Sequence, residues 1–251
     1  VQTCALPICG RSQKEEVMRV VINGRDLREY GGKLLTVKTA PPKMATNDEM
    51  ITRALLPTEY ETDIPLGSLT ITIYFPEKNR AALERKLSSF MRLFRSSCVI
   101  EKIKNYKGNY KGFLTDDSYQ ETLKKEKKIL SLTFDGYFFD ENRTFTIDGK
   151  KTGRIEVEGS RDAPCLVEIK AKTALKNFTV TINDETFTVE SLAAGKTILI
   201  DGRDGTATID GENAFLNVDL WEFPKLEPGK NELTFSSDQA TVKVTYRAMW
   251  L

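Results

Sequence analysis

The sequence predicts a mainly β protein in two parts: antiparallel strands carrying one amphipathic helix, then an antiparallel β-sandwich. Three observations carry this. In most apolar stretches hydrophobic and polar residues alternate, the period of strands with one face in a core. Only the segment from Glu77 to about Phe94 has apolar residues at helical spacing. From Arg143 onward, short strands are punctuated by Gly, Asp, Asn and Pro turns with no helical stretch, which argues a sandwich.

The chain has 251 residues, 40% of them hydrophobic, a length that suits two modest domains. Its opening, Val1 to Ile8, resembles the translated end of a sequencing-library adapter, and Gln13 to Met18 is encodable by a ribosome-binding sequence and a start codon. Residues 1–17 are therefore expected to be a non-native leader, with the protein beginning at Met18. The leader lacks the apolar core of a secretory signal. Setting it aside removes two charges of each sign (Arg11, Lys14, Glu15, Glu16), so the net charge stays at +1. Such a balance exerts no global pull on nucleic acid or an anionic membrane. No run is long and apolar enough to cross a bilayer. Cys98 and Cys165 remain; they fit no redox or zinc spacing and read as buried thiols rather than a disulfide.

The first part spans 18–141. Arg19 to Ile22 reads as a strand entering an Asn23-Gly24 turn, and Lys33 to Lys38 as another strand. Thr39 to Gly67 breaks the pattern. It holds four prolines, yet carries Met50, Ile51, Leu55, Leu56, Tyr60 and Ile64. This composition predicts an irregular extended arm that packs on a neighbouring subunit or on its own. Leu69 to Phe75 is the strongest strand. The following helix places Leu83, Leu87, Phe90, Met91 and Phe94 on one stripe, a core face. Strands follow at Val99 to Ile103, Tyr106 to Leu114 and Lys128 to Phe139. The lysines and tyrosines around them raise a nucleic-acid surface. Glu101, Asp116, Asp117, Glu121 and Glu126 among them favour solvated hairpin faces with protective edge lysines.

The second part spans 142–251. Strands are expected at Thr144 to Ile147, Gly153 to Val157, Cys165 to Ala171, Phe178 to Ile182, Thr186 to Val189, Lys196 to Ile200, Thr206 to Ile209 and Phe215 to Trp221. Two more, flanking Ser236 to Gln239, read as a closing hairpin whose last strand fills the core. Met249-Trp250-Leu251 follows almost directly, so this terminus is expected to be paired and packed rather than frayed.

Chemistry is scarce. With no histidine, Ser-His-Asp, Cys-His and histidine-containing zinc sites are excluded. No phosphate loop of the Walker type is present. Asp116-Asp117, Asp140-Glu141 and the Asp201 to Gly205 cluster are the best carboxylate groupings, and each reads more simply as a turn than as a catalytic pair or calcium site. No catalytic, metal or cofactor site is assigned.

Several features together resemble one family: the Ala163-Pro164 strand entry, Asp201-Gly202 with Asp210-Gly211-Glu212-Asn213, the Pro224-x-Leu226-x-Pro228-Gly229-x-Asn231 turn, and the terminal Tyr246 and Trp250. They are similar to the phage distal tail proteins, hubs at the tip of long non-contractile tails. The resemblance covers nearly all of Met18 to Leu251 and implies a structural virion protein at the tail tip, not an enzyme. It implies a first domain forming a homo-hexameric ring that extends the tail tube, and a galectin-like sandwich supporting adhesion machinery. The implied partners are the major tail tube protein and a tail-associated tip or receptor-binding protein. The alternative is a carbohydrate-binding sandwich used in host-surface adhesion. Galectin sites use histidine, asparagine and arginine beside a stacking tryptophan. Here only Trp221 matches that role, and packing beside Phe223 is its simpler reading.

Overall fold

The computed structural model describes residues 19–42, 48–49, 58–59, 65–103, 106 and 108–250. The N-terminal half contains β1 (Val21–Ile22), β2 (Arg25–Asp26), β3 (Lys33–Ala40), β4 (Asp48–Glu49), β5 (Thr58–Glu59), β6 (Gly67–Pro76), α1 (Arg80–Met91), β7 (Cys98–Glu101), β8 (Asn109–Glu121) and β9 (Lys127–Phe139). Apart from β4 and β5, which pair with each other, these strands form one antiparallel sheet in the order β2-β1-β7-β8-β9-β6-β3.

The alternation in β6 decides the layering. Leu69, Ile71, Ile73 and Phe75 are buried, and Leu130, Leu132 and Phe134 of β9 stand beside them on the same face. Against that face lies α1, whose Leu83, Leu87 and Phe90 are buried. A fully buried large apolar side chain stabilises by about 1.5–3 kcal/mol, so this stripe outweighs the weak intrinsic stability of a twelve-residue helix. No β-branched residue interrupts α1, and Asn79 caps it by accepting from Ala82 N–H at 2.8 Å. Met91 is half-buried, and Phe94 is reached through a 3-10 turn, Arg92–Phe94. The other face of the sheet is hydroxyl-rich, with Thr70 against Thr133 at 3.2 Å and Thr72 against Ser131 at 3.3 Å.

A row of glycines crosses the sheet centre: Gly67 of β6, Gly136 of β9 and Gly112 of β8 are register partners. A Cβ on Gly136 would meet Lys111 O at 2.1 Å, so only glycine fits. Tyr110 is buried beside them, and its hydroxyl donates to Phe134 O at 2.9 Å or Gly67 O at 3.1 Å.

The C-terminal half contains β10 (Arg143–Asp148), β11 (Thr152–Val157), β12 (Ala163–Pro164), β13 (Leu166–Ala171), β14 (Leu175–Ile182), β15 (Glu185–Leu192), β16 (Thr197–Asp201), β17 (Thr206–Ile209), β18 (Glu212–Asn213), β19 (Val218–Asp219), β20 (Lys225–Leu226), β21 (Gly229–Phe235), β22 (Ala240–Tyr246) and β23 (Met249–Trp250). One sheet runs β10-β22-β13-β16-β17-β18, the other β11-β21-β14-β15-β19, and both contribute to a single core cluster. The fold is mainly β, as expected, with antiparallel sheets and one α-helix among the described residues.

Four expectations need correction. First, β21 and β22 are not a hairpin with each other: β21 pairs β11 and β14, whereas β22 pairs β10 and β13 in the opposite sheet. Alternation tells which face is buried, and both faces here point into the same core. Second, Phe215 to Trp221 is a 3-10 turn, Phe215–Asn217, followed by the two-residue β19. Third, Asp116-Asp117 lies within β8 beside a bulge between Leu114 and Asp116, not in a turn. Fourth, the segment read as an irregular arm includes paired strands, since Asp48 faces Glu59 and Glu49 faces Thr58.

The chain end is paired, as expected, but with the other half. Met249 of β23 stands opposite Phe139 and Trp250 opposite Phe138 of β9. β23 continues the edge that β6 leaves open beyond Gly67. Gly159 allows this return: a Cβ there would meet Met249 O at 2.4 Å, the same oxygen that accepts from Ser160 N–H at 2.9 Å.

Candidate interaction surfaces

The sheet of the N-terminal half ends in two unequal free edges. At one side β3 pairs only β6 over Lys33 to Ala40. At the other, β7 covers β8 only at Tyr110 to Gly112, so Phe113 to Glu121 has no neighbour on its outer side among the described residues. The charges differ in sign. Lys33 and Lys38 are exposed on β3; Asp116, Asp117 and Glu121 are exposed on β8. Leu35 on the first edge and Phe113 and Tyr119 on the second add exposed apolar area. Lys128 sits 5.3 Å over the Tyr119 ring and 2.8 Å from Glu84. The neighbouring aromatics do not form a stacking platform for bases, because Tyr110 is buried and Tyr106 stacks on Phe138 at 5.4 Å.

Where the two halves meet, β23 and β9 border a cleft of about 700 Å3. Its walls include Pro41, Gly67, Tyr106, Phe138, Arg143 and Trp250. Arg143 closes one side through Glu158 at 2.9 Å, with Asp140 at 3.7 Å. The cleft adjoins the point where the chain leaves β3 and re-enters β6. Met50, Ile51, Leu55, Leu56, Tyr60 and Ile64, the proposed arm side chains, lie outside the described residues.

The sandwich presents a third surface. Trp221 does not pack beside Phe223; it is 94% exposed, as is Leu216. Phe223 instead meets Phe215, ring centroids 6.1 Å apart. Phe215 and Leu216 connect the outer strands β18 and β19 of the two sheets, whereas Trp221 and Phe223 follow β19 on the way to β20. Nothing in the local pattern signals this exposure, since an apolar residue in a short β-rich segment is ordinarily assigned to the core.

The two thiols are packed into the cores of the two halves. Cys98 and Cys165 are free and buried. Burial pushes the Cys98 thiol up to about 11 and the Cys165 thiol up to about 12, so both stay protonated and unreactive at neutral pH. Asp201 is a turn residue: its Oδ1 accepts from Arg203 N–H at 2.8 Å. Among the described residues no group of three or more Asp, Glu or Cys side chains is placed to share a metal ion.

Comparison with known proteins bears on the fold and the family. Residues 158–250 match the family model described as SPP1_Dit, siphovirus-type tail component, C-terminal domain. The matched span lies wholly within the C-terminal half. The resemblance drawn from the Pro224 to Asn231 turn and the terminal Tyr246 and Trp250 thus holds, since all lie inside the matched span. Comparison with curated protein sequences gives no match. Among solved structures, the chain is similar to the Dit (gp 19.1) protein of phage SPP1, with a TM-score of 0.73 and 11% identity over 93% of this chain and 99% of that one. That protein is described as a paradigm of the hub adsorption apparatus in phages infecting Gram-positive bacteria. A chain of the phage P2 baseplate in its activated, calcium-bound conformation is also similar, with a TM-score of 0.50 and 11% identity over 92% of this chain and 97% of that one. The likeness in fold therefore extends through both halves of the chain.

Proposed function

We propose that this chain is a structural hub of a phage tail tip, assembling into a ring between the tail tube and the adhesion proteins. The observation that carries the reading is the pair of free sheet edges. β3, β6, β9 and β8 are successively antiparallel, so β3 and β8 run in opposite directions. Rotation about an axis along the strands preserves strand direction. The β8 of one copy therefore meets the β3 of the next antiparallel, repeating head to tail until a ring closes. The acidic β8 edge repels a second β8 edge and attracts the basic β3 edge, which disfavours the symmetric dimer.

Six copies is the number that the distal-tail resemblance implies. The tube protein would then meet one end of the ring and a tip or receptor-binding protein the other. The apolar side chains Met50, Ile51, Leu55, Leu56, Tyr60 and Ile64 need cover from water, and a neighbouring copy is the proposed cover. Replacing Leu55 and Leu56 by serine then yields folded monomers with near-normal melting; a segment packed on its own chain yields destabilised protein that still forms rings. Electron microscopy of the purified protein tests the reading as a whole. Closed rings are expected, and a uniform monomer at assembly concentrations refutes it.

A further inference from the structure

We propose that the outward surface of α1, with the turns packed beside it, is a binding site for a linear phosphodiester polymer of a bacterial cell envelope. Where that polymer is met rests on the tail-tip reading; the chemistry rests on the charges of this layer alone.

The layer that covers the sheet is built from two stretches of chain. The 3-10 turn Leu27–Tyr30 packs along α1, with the Tyr30 and Phe90 ring centroids 5.4 Å apart. The β1–β2 turn reaches the end of the helical segment, where Asn23 Nδ2 donates to Leu93 O at 3.1 Å. Residues 19–30 and 77–97 carry nine Arg and Lys against four Asp and Glu, in a chain whose net charge is +1.

All four acids are engaged within the fold. Asp26 accepts from Arg19 at 2.9 Å and from Arg28 at 2.6 Å, and Glu77 is paired with Lys86. Glu84 lies 2.8 Å from Lys128 and 3.8 Å from Arg80, and Glu29 accepts from Asp26 N–H at 3.3 Å. Two further acids, Asp117 and Glu121 of β8, face the same side of the sheet, but beyond Glu84 and across α1 from the 3-10 turn. Beside the helix start, the β8–β9 turn sets Glu126 against Lys124, Lys125 and Lys127.

What is left over is positive. Arg85, Arg92 and Arg95 are exposed, with no ion pair or hydrogen bond to another side chain among the described residues. Arg85 and Arg92 stand two turns apart on one helix face, about 10.5 Å along the axis, and Ser88 and Ser89 are exposed between them. Guanidinium forks match phosphate oxygens, and serine hydroxyls donate to the same oxygens. The small serines also let an extended chain lie close to the helix.

The same surface argues against lipid and duplex DNA. No large apolar side chain is exposed in this layer, so it has nothing to insert into a bilayer. A stiff duplex touches a convex helix along one row, whereas a flexible chain bends over it and reaches Arg28 and Arg95 as well. In the proposed ring the sheet closes edge to edge, and a closed sheet carries its helices outside, where the circumference is longer. The arginines then face away from the channel and recur in every copy, so one long polymer meets several patches at once.

The test is isothermal titration calorimetry of the full chain with poly(glycerol phosphate) at low ionic strength. Binding is expected, with log K falling linearly against log salt. R85E/R92E is expected to weaken it at least about tenfold and to reduce that slope by about two, one for each arginine. Both positions are exposed, so the variant should melt as the wild type does. K170E/K176E makes the same charge change at exposed positions of the sandwich and should bind as the wild type does. No binding by wild-type protein, full binding by R85E/R92E, or an equal loss in K170E/K176E overturns the inference. Tighter binding to duplex DNA or to phosphatidylglycerol vesicles also overturns it, and assigns the layer to nucleic acid or to lipid. Absence of the chain from purified tails refutes the tail-tip reading and the envelope source with it, whereas the calorimetry decides the site independently.

Discussion

Asn231 lies out of solvent within β21, just after the Pro228-Gly229 turn, and its amide is fully engaged. Its Oδ1 accepts from Glu227 N–H at 2.8 Å and Asn183 Nδ2 at 3.0 Å, while its Nδ2 donates to Glu227 O at 2.8 Å and Gly229 O at 3.2 Å. One side chain thus closes the Pro228-Gly229 turn and clasps the β14–β15 turn. Asn231→Ala leaves buried polar groups without partners, each costing about 1–3 kcal/mol. The expected loss is about 3 kcal/mol, read from the urea midpoint at constant slope. A second residue sets the acid limb of stability. The Arg28 guanidinium and N–H, aided by Arg19, hold the Asp26 carboxyl well below the usual carboxylate range against the opposing pull of burial. A depressed folded pKa means the contribution is complete above the unfolded carboxylate value, about 4, and is lost as pH falls through and below it. Asp26→Asn should lower stability at pH 7 and flatten its fall in acid; parallel pH curves for the two proteins contradict this. At this scale the sequence was uneven. The Asn231 turn was legible because proline and glycine mark it. The exposure of Trp221 was not, because nothing local distinguishes an apolar residue that packs from one that awaits a partner.

At the scale of elements, alternation in β6, β21 and β22 was legible as strands because a half-buried strand must alternate. Pairing was not. Ser236 to Gln239 looks like a hairpin turn, but the chain crosses the core there and changes sheets. Tyr246, at the end of β22, is buried and donates its hydroxyl to Glu156 O at 3.2 Å, tying the two sheets together. Three residues later β23 has left the sandwich for β9. The six terminal residues therefore do two separable jobs. Deleting Met249 to Leu251 leaves Tyr246 and the sandwich core intact while removing the ladder to Phe138 and Phe139. The expected variant keeps near-normal strand content by circular dichroism but is cleaved faster between Asp140 and Arg143, where the halves join. Extending the deletion to Tyr246 should unfold the sandwich. Equal protease resistance in the shorter deletion contradicts a clasping role for β23.

For the whole molecule, the decisive question is whether β3 and β8 meet between copies. Both edges are long, each exceeding six residues, and each exposes apolar side chains beside its charges, Leu35 on one and Phe113 and Tyr119 on the other. Such edges aggregate unless something selects their partner, and the selection available here is charge. D116K/D117K makes β8 basic like β3, so, if the wild-type protein closes the proposed rings, this variant should give folded monomers at the same concentrations. K33E/K38E makes β3 acidic like β8 and should do the same. All four residues are exposed, so neither change is expected to move the melting temperature by more than a few degrees. Combining the four substitutions restores opposite signs with the edges exchanged, and rings should return. Added salt should weaken the proposed rings, because exposed pairs are screened over about 8–10 Å at ordinary ionic strength. Analytical ultracentrifugation with electron microscopy distinguishes the outcomes. Rings that survive both pairs of substitutions place the subunit contact elsewhere, whereas monomers that the fourfold variant fails to rescue show that shape at these edges, rather than their charge, sets the fit.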